Sequence, residues 1–353
     1  MTLDKFSLII IAQLEAMRKS QIVILAIILI LALLFRLILI NNHLHDPHFS
    51  IQQDDYATYA NALVHGTLNT PHFQPDERLF PGYPVLIVIL NPVFKSEILS
   101  GFLISLASSI LAIYLFWLLT KSLLATAAFA FFPPVWILQS TKVATEPLTV
   151  FLLLLGITLY LKKKYLWSGI IIGYAFDVRI IAVCLLLALL WHLNKTKAYK
   201  NMRLMLWGFV PTALLLFIFN YFFLDKNIFQ QFLLYPTIGK ATFGVLQIFR
   251  DLFRTIYLHQ YKILISGLFY VFINLIGVIL LYKKRKKSEL YSIAFVWMAL
   301  SLIFIFSIGP TPLLDEFLRF SVPFSPALIL SVLPLPVRFV LDLKKKINLN
   351  RVF

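Results

Sequence analysis

A single cysteine, Cys184, in a chain of 353 residues leaves nothing from which to build a disulfide framework or a thiolate metal site. Charge is scarce as well: 14% of the residues are Asp, Glu, Lys or Arg, against roughly a quarter in a soluble domain. Internal repeats and low-complexity tracts are missing. In their place, 60% of the residues are hydrophobic and the mean hydropathy is +0.86. These values exclude a water-soluble globular fold and point to an all-α, polytopic integral membrane protein. No leader segment is expected to be removed, because the first apolar run is too long for a signal sequence and lacks a small-residue cleavage site.

Runs of about 20 apolar residues, enough to cross a hydrocarbon layer of ~30 Å, extend over Gln21 to Ile40, Ile98 to Thr120, Leu204 to Leu224, Ile263 to Tyr282, Leu290 to Ser307 and Phe320 to Leu341. Leu123 to Leu138 and Pro147 to Leu161 flank a polar stretch, Gln139 to Glu146, and read as a helical hairpin. Trp167 to Leu193 is interrupted by Asp177 and Arg179, which a lipid-facing helix does not carry at its centre. Pro81 to Phe94 is proline-rich and short, and reads as a segment that dips in and returns.

The net charge of +16 would suggest a nucleic-acid partner in a soluble protein. Here the basic residues sort by position. Lys5, Arg18 and Lys19, Lys121, Lys162 to Lys164, Lys195 to Arg203, Lys283 to Lys287 and the tail from Arg338 to Arg351 are all expected on the cytoplasmic side, with both termini. That side then holds 21 basic against 4 acidic residues, and the remainder 11 against 12, so the surplus is a topology signal and no nucleic-acid partner is expected. Because Lys164 and Lys195 share a side, Trp167 to Leu193 must cross an even number of times, most simply as two short halves with Arg179 near the turn. The result is about 10 to 12 membrane segments forming one domain over residues 1–341, followed by a basic cytoplasmic tail over 342–353. The protein is expected in the cell membrane with external loops at 41–80 and 225–262, the second containing FRDLFRTIYLHQ, which reads as an interfacial amphipathic helix.

The loop after the first span carries the most chemistry. Ser50 with Gln53 forms a capping-box pattern and Gly66 a C-terminal stop, predicting a helix over Ile51 to His65 with Asp55, Tyr59 and Ala62 or Leu63 on one face. Asp54 and Asp55 read either as helix-start residues on a wet loop or as a general base at the membrane surface, kept ionised by the helix N-terminus. Arg78 and the PGYP that follows it mark re-entry into the membrane, with Tyr83 placed as an interfacial anchor. Arg36 lies close enough to the outer interface to snorkel. His43, His45, His48, His65 and His72 crowd this loop, yet their spacing matches no standard ligand set, and no metal or other cofactor is expected.

The pattern D-x-x-x-Y-x-x-A-L-x-x-G from Asp55, then R-x-x-P-G-Y-P from Arg78, resembles the first outside loop of GT-C class membrane glycosyltransferases, nearest to the protein mannosyltransferase and aminoarabinose transferase group. Ala144 to Pro147 resembles that group's S/T-E-P element. Gly169 to Arg179, GIIIGYAFDVR, resembles its G-x-x-x-G run ending in arginine, with Ile180 where a proline often follows. Glu316 to Pro323, EFLRFSVP, resembles its E-x-x-R-Y segment, with Phe320 in place of tyrosine. The resemblance spans roughly Ile22 to Pro326 and rests on the order and spacing of short motifs.

It implies a polyprenyl-phosphate sugar as donor, a lipid, glycan or protein as acceptor, a single inverting displacement on the outer face, and Asp55 as the base, with Asp54 beside it. Related oligosaccharyltransferases use a divalent cation; the group resembled here generally does not. A sugar phosphate leaves as a stable anion, so the site needs a base on the acceptor hydroxyl and cations on the phosphate. Arg179 and Arg319 are the candidate phosphate clamps, Glu146 a cavity-lining carboxylate that orients the acceptor or a cationic partner, and Tyr59, Arg78 and Tyr83 complete the substrate-binding set. Structural readings stand beside these: Glu146 as a helix cap or a partner of Lys142, Arg179 paired with Asp177, and Arg319 with Asp315 or Glu316. A flippase or transporter of a lipid-linked substrate is the alternative function, with Asp177 and Arg179 lining its path; such proteins usually show internal repeats.

Overall fold

A computed structural model describes residues 3–44, 55–67, 80–223, 244–308 and 313–333. Among these residues every regular element is helical and no strand occurs. Five helices are long and apolar enough to cross a membrane: Lys19–Asn42, Glu97–Thr120, Tyr199–Phe222, Leu264–Lys284 and Glu289–Ser307. They coincide with the first five of the six long runs read from the sequence. The sixth differs. Helix Leu313–Phe320 ends where Phe320 to Leu341 was expected to begin, a 3-10 turn spans Val322–Phe324, and helix Ser325–Val332 follows. Leu333 is extended, the conformation that a following proline favours, and 334–341 lie outside the described residues.

In chain order the helices are α1 (Leu3–Leu44), α2 (Tyr56–His65), α3 (Gly82–Phe94), α4 (Glu97–Thr120), α5 (Leu123–Phe131), α6 (Pro134–Gln139), α7 (Thr145–Leu161), α8 (Tyr165–Val178), α9 (Ala182–Lys195), α10 (Tyr199–Phe223), α11 (Gly244–Tyr257), α12 (Tyr261–Lys284), α13 (Glu289–Ile308), α14 (Leu313–Phe320) and α15 (Ser325–Val332). Trp167 to Leu193 forms two short halves as expected, α8 and α9, with Arg179 in extended backbone at the turn. At about 21 Å each, these helices fall short of a ~30 Å crossing. The stretch Leu123 to Leu138 is not one arm of a hairpin. Pro133 and Pro134 break it into α5 and α6, because Pro134 has no N–H for the carbonyl of Ala130 and its ring excludes continued helix.

Pairwise contacts fix the helix directions. Asn91 Nδ2 donates to Glu97 Oε1 at 3.0 Å and the Tyr83 hydroxyl to the Gly101 carbonyl at 2.6 Å, so α3 and α4 are antiparallel about Lys95 and Ser96. Ser105 Oγ donates to the Ala144 carbonyl at 2.9 Å, while Phe116 and Leu119 share one apolar pocket with Leu154 and Ile157, so α4 runs parallel to α7. Ser168 Oγ donates to Gly156 at 2.9 Å, returning α8 along α7. Tyr56 packs edge-on to Tyr83 at 5.4 Å and Asn61 Nδ2 donates to Glu97 Oε1 at 3.3 Å, so α2 runs with α3.

Two levels result. At the basic end, the Tyr160 hydroxyl lies 2.7 Å from His192 Nδ1, which lies 3.6 Å from Glu289, so the end of α7, the end of α9 and the start of α13 meet. The second level gathers the starts of α2, α3, α7 and α9 with the end of α8. The stretch of α4 from Ser105 to Thr120 puts it about 22 Å from the basic end. Pro81 to Phe94 therefore does not dip in and return. It is a one-way helix leaving the second level away from the basic end, and α4 makes the return.

Arg36 does not snorkel. It is fully buried at the α5–α6 break, where Nε donates to Ser140 Oγ at 2.7 Å and Nη1 to the carbonyls of Ala32 at 3.1 Å and Ala130 at 3.4 Å. The Ala130 carbonyl is the one Pro134 leaves without a helical donor. Arg36 thus faces the C-terminal ends of α5 and α6, which carry partial negative charge, and Trp136 lies 5.9 Å away. Replacing Arg36 with Met is expected to destabilise the protein by about 2 kcal/mol or more, since a buried carbonyl and a hydroxyl lose their donor. Thermal unfolding in detergent measures this, with Arg36→Lys intermediate and Ser140→Ala milder.

Candidate functional site

Glu146 is the centre of the second level. It lies in the first turn of α7, whose N-terminus supplies partial positive charge, and its side chain is completely buried. Arg179 Nη1 donates to Glu146 Oε1 at 2.6 Å and Arg319 Nε to the same oxygen at 2.5 Å. Arg179 Nη1 also donates to Thr145 Oγ1 at 3.0 Å, and its guanidinium sits over the Phe320 ring at 4.9 Å. Three elements distant in sequence, α7, the α8–α9 turn and α14, are thereby tied together by charge. The Nε of Arg179 is buried without a hydrogen-bond partner.

This pairing overturns the local ones. Arg179 does not pair with Asp177. Its backbone, at φ −161 and ψ 123, has left the helix, which carries its side chain toward α7. Asp177 remains helical and buried, three residues from Tyr174, and its Oδ1 has no hydrogen-bond partner. Glu146 does not pair with Lys142: Arg179, Arg319 and Thr145 account for its side chain. Ala144 holds the cap position itself, and the Glu146 carboxylate, in the first turn, also accepts from its own backbone N–H. Arg319 engages Glu146, while the side chains of Asp315 and Glu316 lie outside the described set.

Asp55 occupies the N-cap position of α2 and is exposed. The helix starts at Tyr56 rather than Ile51, so the capping box read at Ser50 and Gln53 does not begin it. Asp54, Arg78 and those two residues lie outside the described residues. The Asp55 carbonyl accepts from the Tyr59 N–H at 2.8 Å, but its carboxylate makes no capping bond. At the other end Gly66 takes φ +65, and Thr67 N–H closes onto the Ala62 carbonyl at 2.9 Å, as the stop signal predicted.

Tyr59 is buried and packs edge-on to Phe219 at 6.4 Å. Tyr83 is not an interfacial anchor. It is wholly buried, and its hydroxyl is shared between the Gly101 carbonyl and Ser105 Oγ at 2.8 Å. Ser105 Oγ in turn accepts from the Ala144 N–H at 3.2 Å and donates to the Ala144 carbonyl. A strut therefore runs from Tyr56, next to Asp55, through Tyr83 and Ser105 to Ala144, two residues from Glu146.

Ser105 escaped the sequence reading, and Thr145 entered it only as a member of the S/T-E-P element. The available signal was the line of small residues Gly101, Ser105, Ser108 and Ala112 on one side of an otherwise bulky apolar helix. Among the described residues no group of three or more His, Cys, Asp or Glu could hold a metal ion. In comparisons with known proteins, no family model and no curated sequence matches the chain.

Proposed function

We propose that this chain is an integral membrane glycosyltransferase that moves a sugar from a polyprenyl-phosphate donor to an acceptor at the outer face of the cell membrane. The observation that carries the reading is the Glu146 carboxylate held between Arg179 and Arg319 at the level about 22 Å from the basic end. A phosphodiester carries one negative charge, which guanidiniums bind through paired N–H donors. The guanidiniums are fixed before substrate arrives, so they stabilise charge on the departing lipid phosphate with little reorganisation.

Asp55 is the base. Its carboxylate is exposed at a helix start, anchored through Tyr56 and Tyr83 to the strut that reaches the arginine cluster. It takes the acceptor hydroxyl proton as the oxygen attacks the anomeric carbon from the face opposite the phosphate, and the configuration inverts. Only one carboxylate acts on protons, because the leaving phosphate needs no strong acid. The cytoplasmic placement of the basic loops, the outer placement of the site and the GT-C arrangement of ten or more segments belong to the same proposal.

The test is transfer of labelled sugar from a polyprenyl-phosphate donor by the full chain in liposomes. Asp55→Asn is expected to lower the rate by about 10²- to 10⁴-fold, the usual contribution of a positioned base. Transfer at the normal rate would remove Asp55 from that role. Movement of lipid-linked sugar across the bilayer without product would establish a transporter instead.

A further inference from the structure

We propose that the basic end carries a docking surface for the headgroup of an anionic phospholipid, formed jointly by the α7–α8 and α9–α10 connections. The first contributes Lys162, Lys163 and Lys164, the second Lys195, Lys197, Lys200 and Arg203, all exposed, and neither segment contains an acidic residue. The fold brings them side by side. Tyr160 meets His192 at 2.7 Å just before the two connections, and just after them α8 and α10 touch backbone to backbone, where a Cβ on Gly208 would stand 2.2 Å from the Leu166 carbonyl. Inside-positive topology requires only that such charges lie near the membrane. It does not require loops of two different hairpins to converge.

Both turns are built alike, each around a left-handed lysine. Lys163 has φ 60, with Lys164 N–H closing onto the Leu159 carbonyl at 2.9 Å and Lys163 N–H onto Tyr160 at 2.8 Å. Lys197 has φ 56, with Ala198 N–H closing onto Leu193 and Lys197 N–H onto Asn194, both at 2.9 Å. Glycine adopts this conformation without strain and lysine does not, so each turn carries a cation at the expense of backbone ease. The two helix ends capped here supply about one negative charge between them and Glu289, beside His192, another, leaving a surplus of about five positive charges.

Among the described residues Lys162, Lys163, Lys164, Lys197, Lys200 and Arg203 make no side-chain hydrogen bond or ion pair. In the α12–α13 turn two of the five basic residues are engaged: Lys284 Nζ donates to the Ser331 carbonyl at 2.6 Å, and Arg285 lies over the Tyr282 ring at 3.3 Å. Exposed Trp167, Trp191, Tyr199 and Trp207 border the patch, placing it at headgroup depth. Cationic pockets between helices at this depth suit phosphate-bearing lipid headgroups. This assignment does not depend on the catalytic reading.

The test uses the full chain purified into nanodiscs of phosphatidylcholine with or without phosphatidylglycerol or cardiolipin, read by thermal unfolding and by lipid retained in native mass spectrometry. The diagnostic variant is Lys163→Gly with Lys197→Gly, which relieves both turns while removing two cations. In phosphatidylcholine alone it is expected to melt at or above the wild-type temperature, which shows that it folds. With anionic lipid the wild type is expected to gain thermal stability and retain bound lipid, and the variant to retain about tenfold less. Equal retention of anionic lipid by both proteins would overturn the proposal. So would millimolar inorganic phosphate reproducing the wild-type stabilisation, which would make the surface a site for a free anion.

Discussion

Glu146→Ala is expected to destabilise the protein more than any other single charge removal and to abolish sugar transfer. It leaves Arg179 and Arg319 facing each other in a buried site with no carboxylate between them. Removing one partner of a buried ion pair costs about 3–5 kcal/mol, a large share of a typical folding free energy of about 5–15 kcal/mol. Thermal unfolding in detergent with the transfer assay measures both effects. Stability and chemistry are separated by a triple variant, Glu146→Leu with Arg179→Met and Arg319→Met. Apolar residues of similar size often replace a buried charge network without loss of stability. The triple variant is therefore expected to melt near the wild-type temperature and still transfer no sugar. If it transfers normally, the arginines do not hold the phosphate; if Glu146→Ala melts like the wild type, the carboxylate does not hold the arginines together.

The same residues show what can be read from a membrane sequence. Arg179 could be placed at a turn from sequence because parity of the basic loops demanded an even crossing and a guanidinium cannot face lipid at mid-span. Its partner could not be placed. The nearest carboxylate, Asp177, sits two residues away, but a switch from helical to extended backbone at Arg179 sends the two side chains in different directions. Local spacing carries no information about such a switch. Arg36 escaped for a related reason. What neutralises it is the ends of α5 and α6, a hundred residues away, and a helix end carries charge only once the chain has broken there. Tyr83 was misplaced because PGYP marks a helix start correctly but says nothing of its depth. Depth follows from its bonds to Gly101 and Ser105 on another helix. Five long spans and the α8–α9 break were legible because hydropathy and charge act locally; the site depends on which helices touch.

Gly169→Leu is expected to disrupt the protein as severely as loss of Glu146, without removing any charge. A Cβ at Gly169 would stand 2.0 Å from the Met205 carbonyl oxygen and 3.0 Å from the Phe209 nitrogen, and one at Gly173 would stand 2.8 Å from the Phe209 carbonyl. These are backbone atoms of a helix, so neither contact can relax by turning a side chain. α8 and α10 would have to move apart, losing the close packing that small residues permit between membrane helices. Overpacking a tight site costs about 1–3 kcal/mol for modest additions, and a leucine against the backbone of α10 lies at or beyond the upper end. Two other glycines provide the comparison. At Gly156 a Cβ would meet Ile172 Cγ1 at 2.8 Å, a side-chain rather than a backbone atom, so Gly156→Ala should cost less than Gly169→Leu. At Gly66 nothing lies within 4 Å, and Gly66→Ala should cost only the left-handed conformation, about 1 kcal/mol. Unfolding temperatures of the three variants should therefore rank Gly169→Leu far below the other two. Because Arg179 directly follows α8, displacement of that helix should also pull it from Glu146, so Gly169→Ala, the smallest change at this position, is expected to lose transfer activity before it loses its fold. A Gly169→Ala protein that transfers normally would show that the α8–α10 contact does not set the position of Arg179.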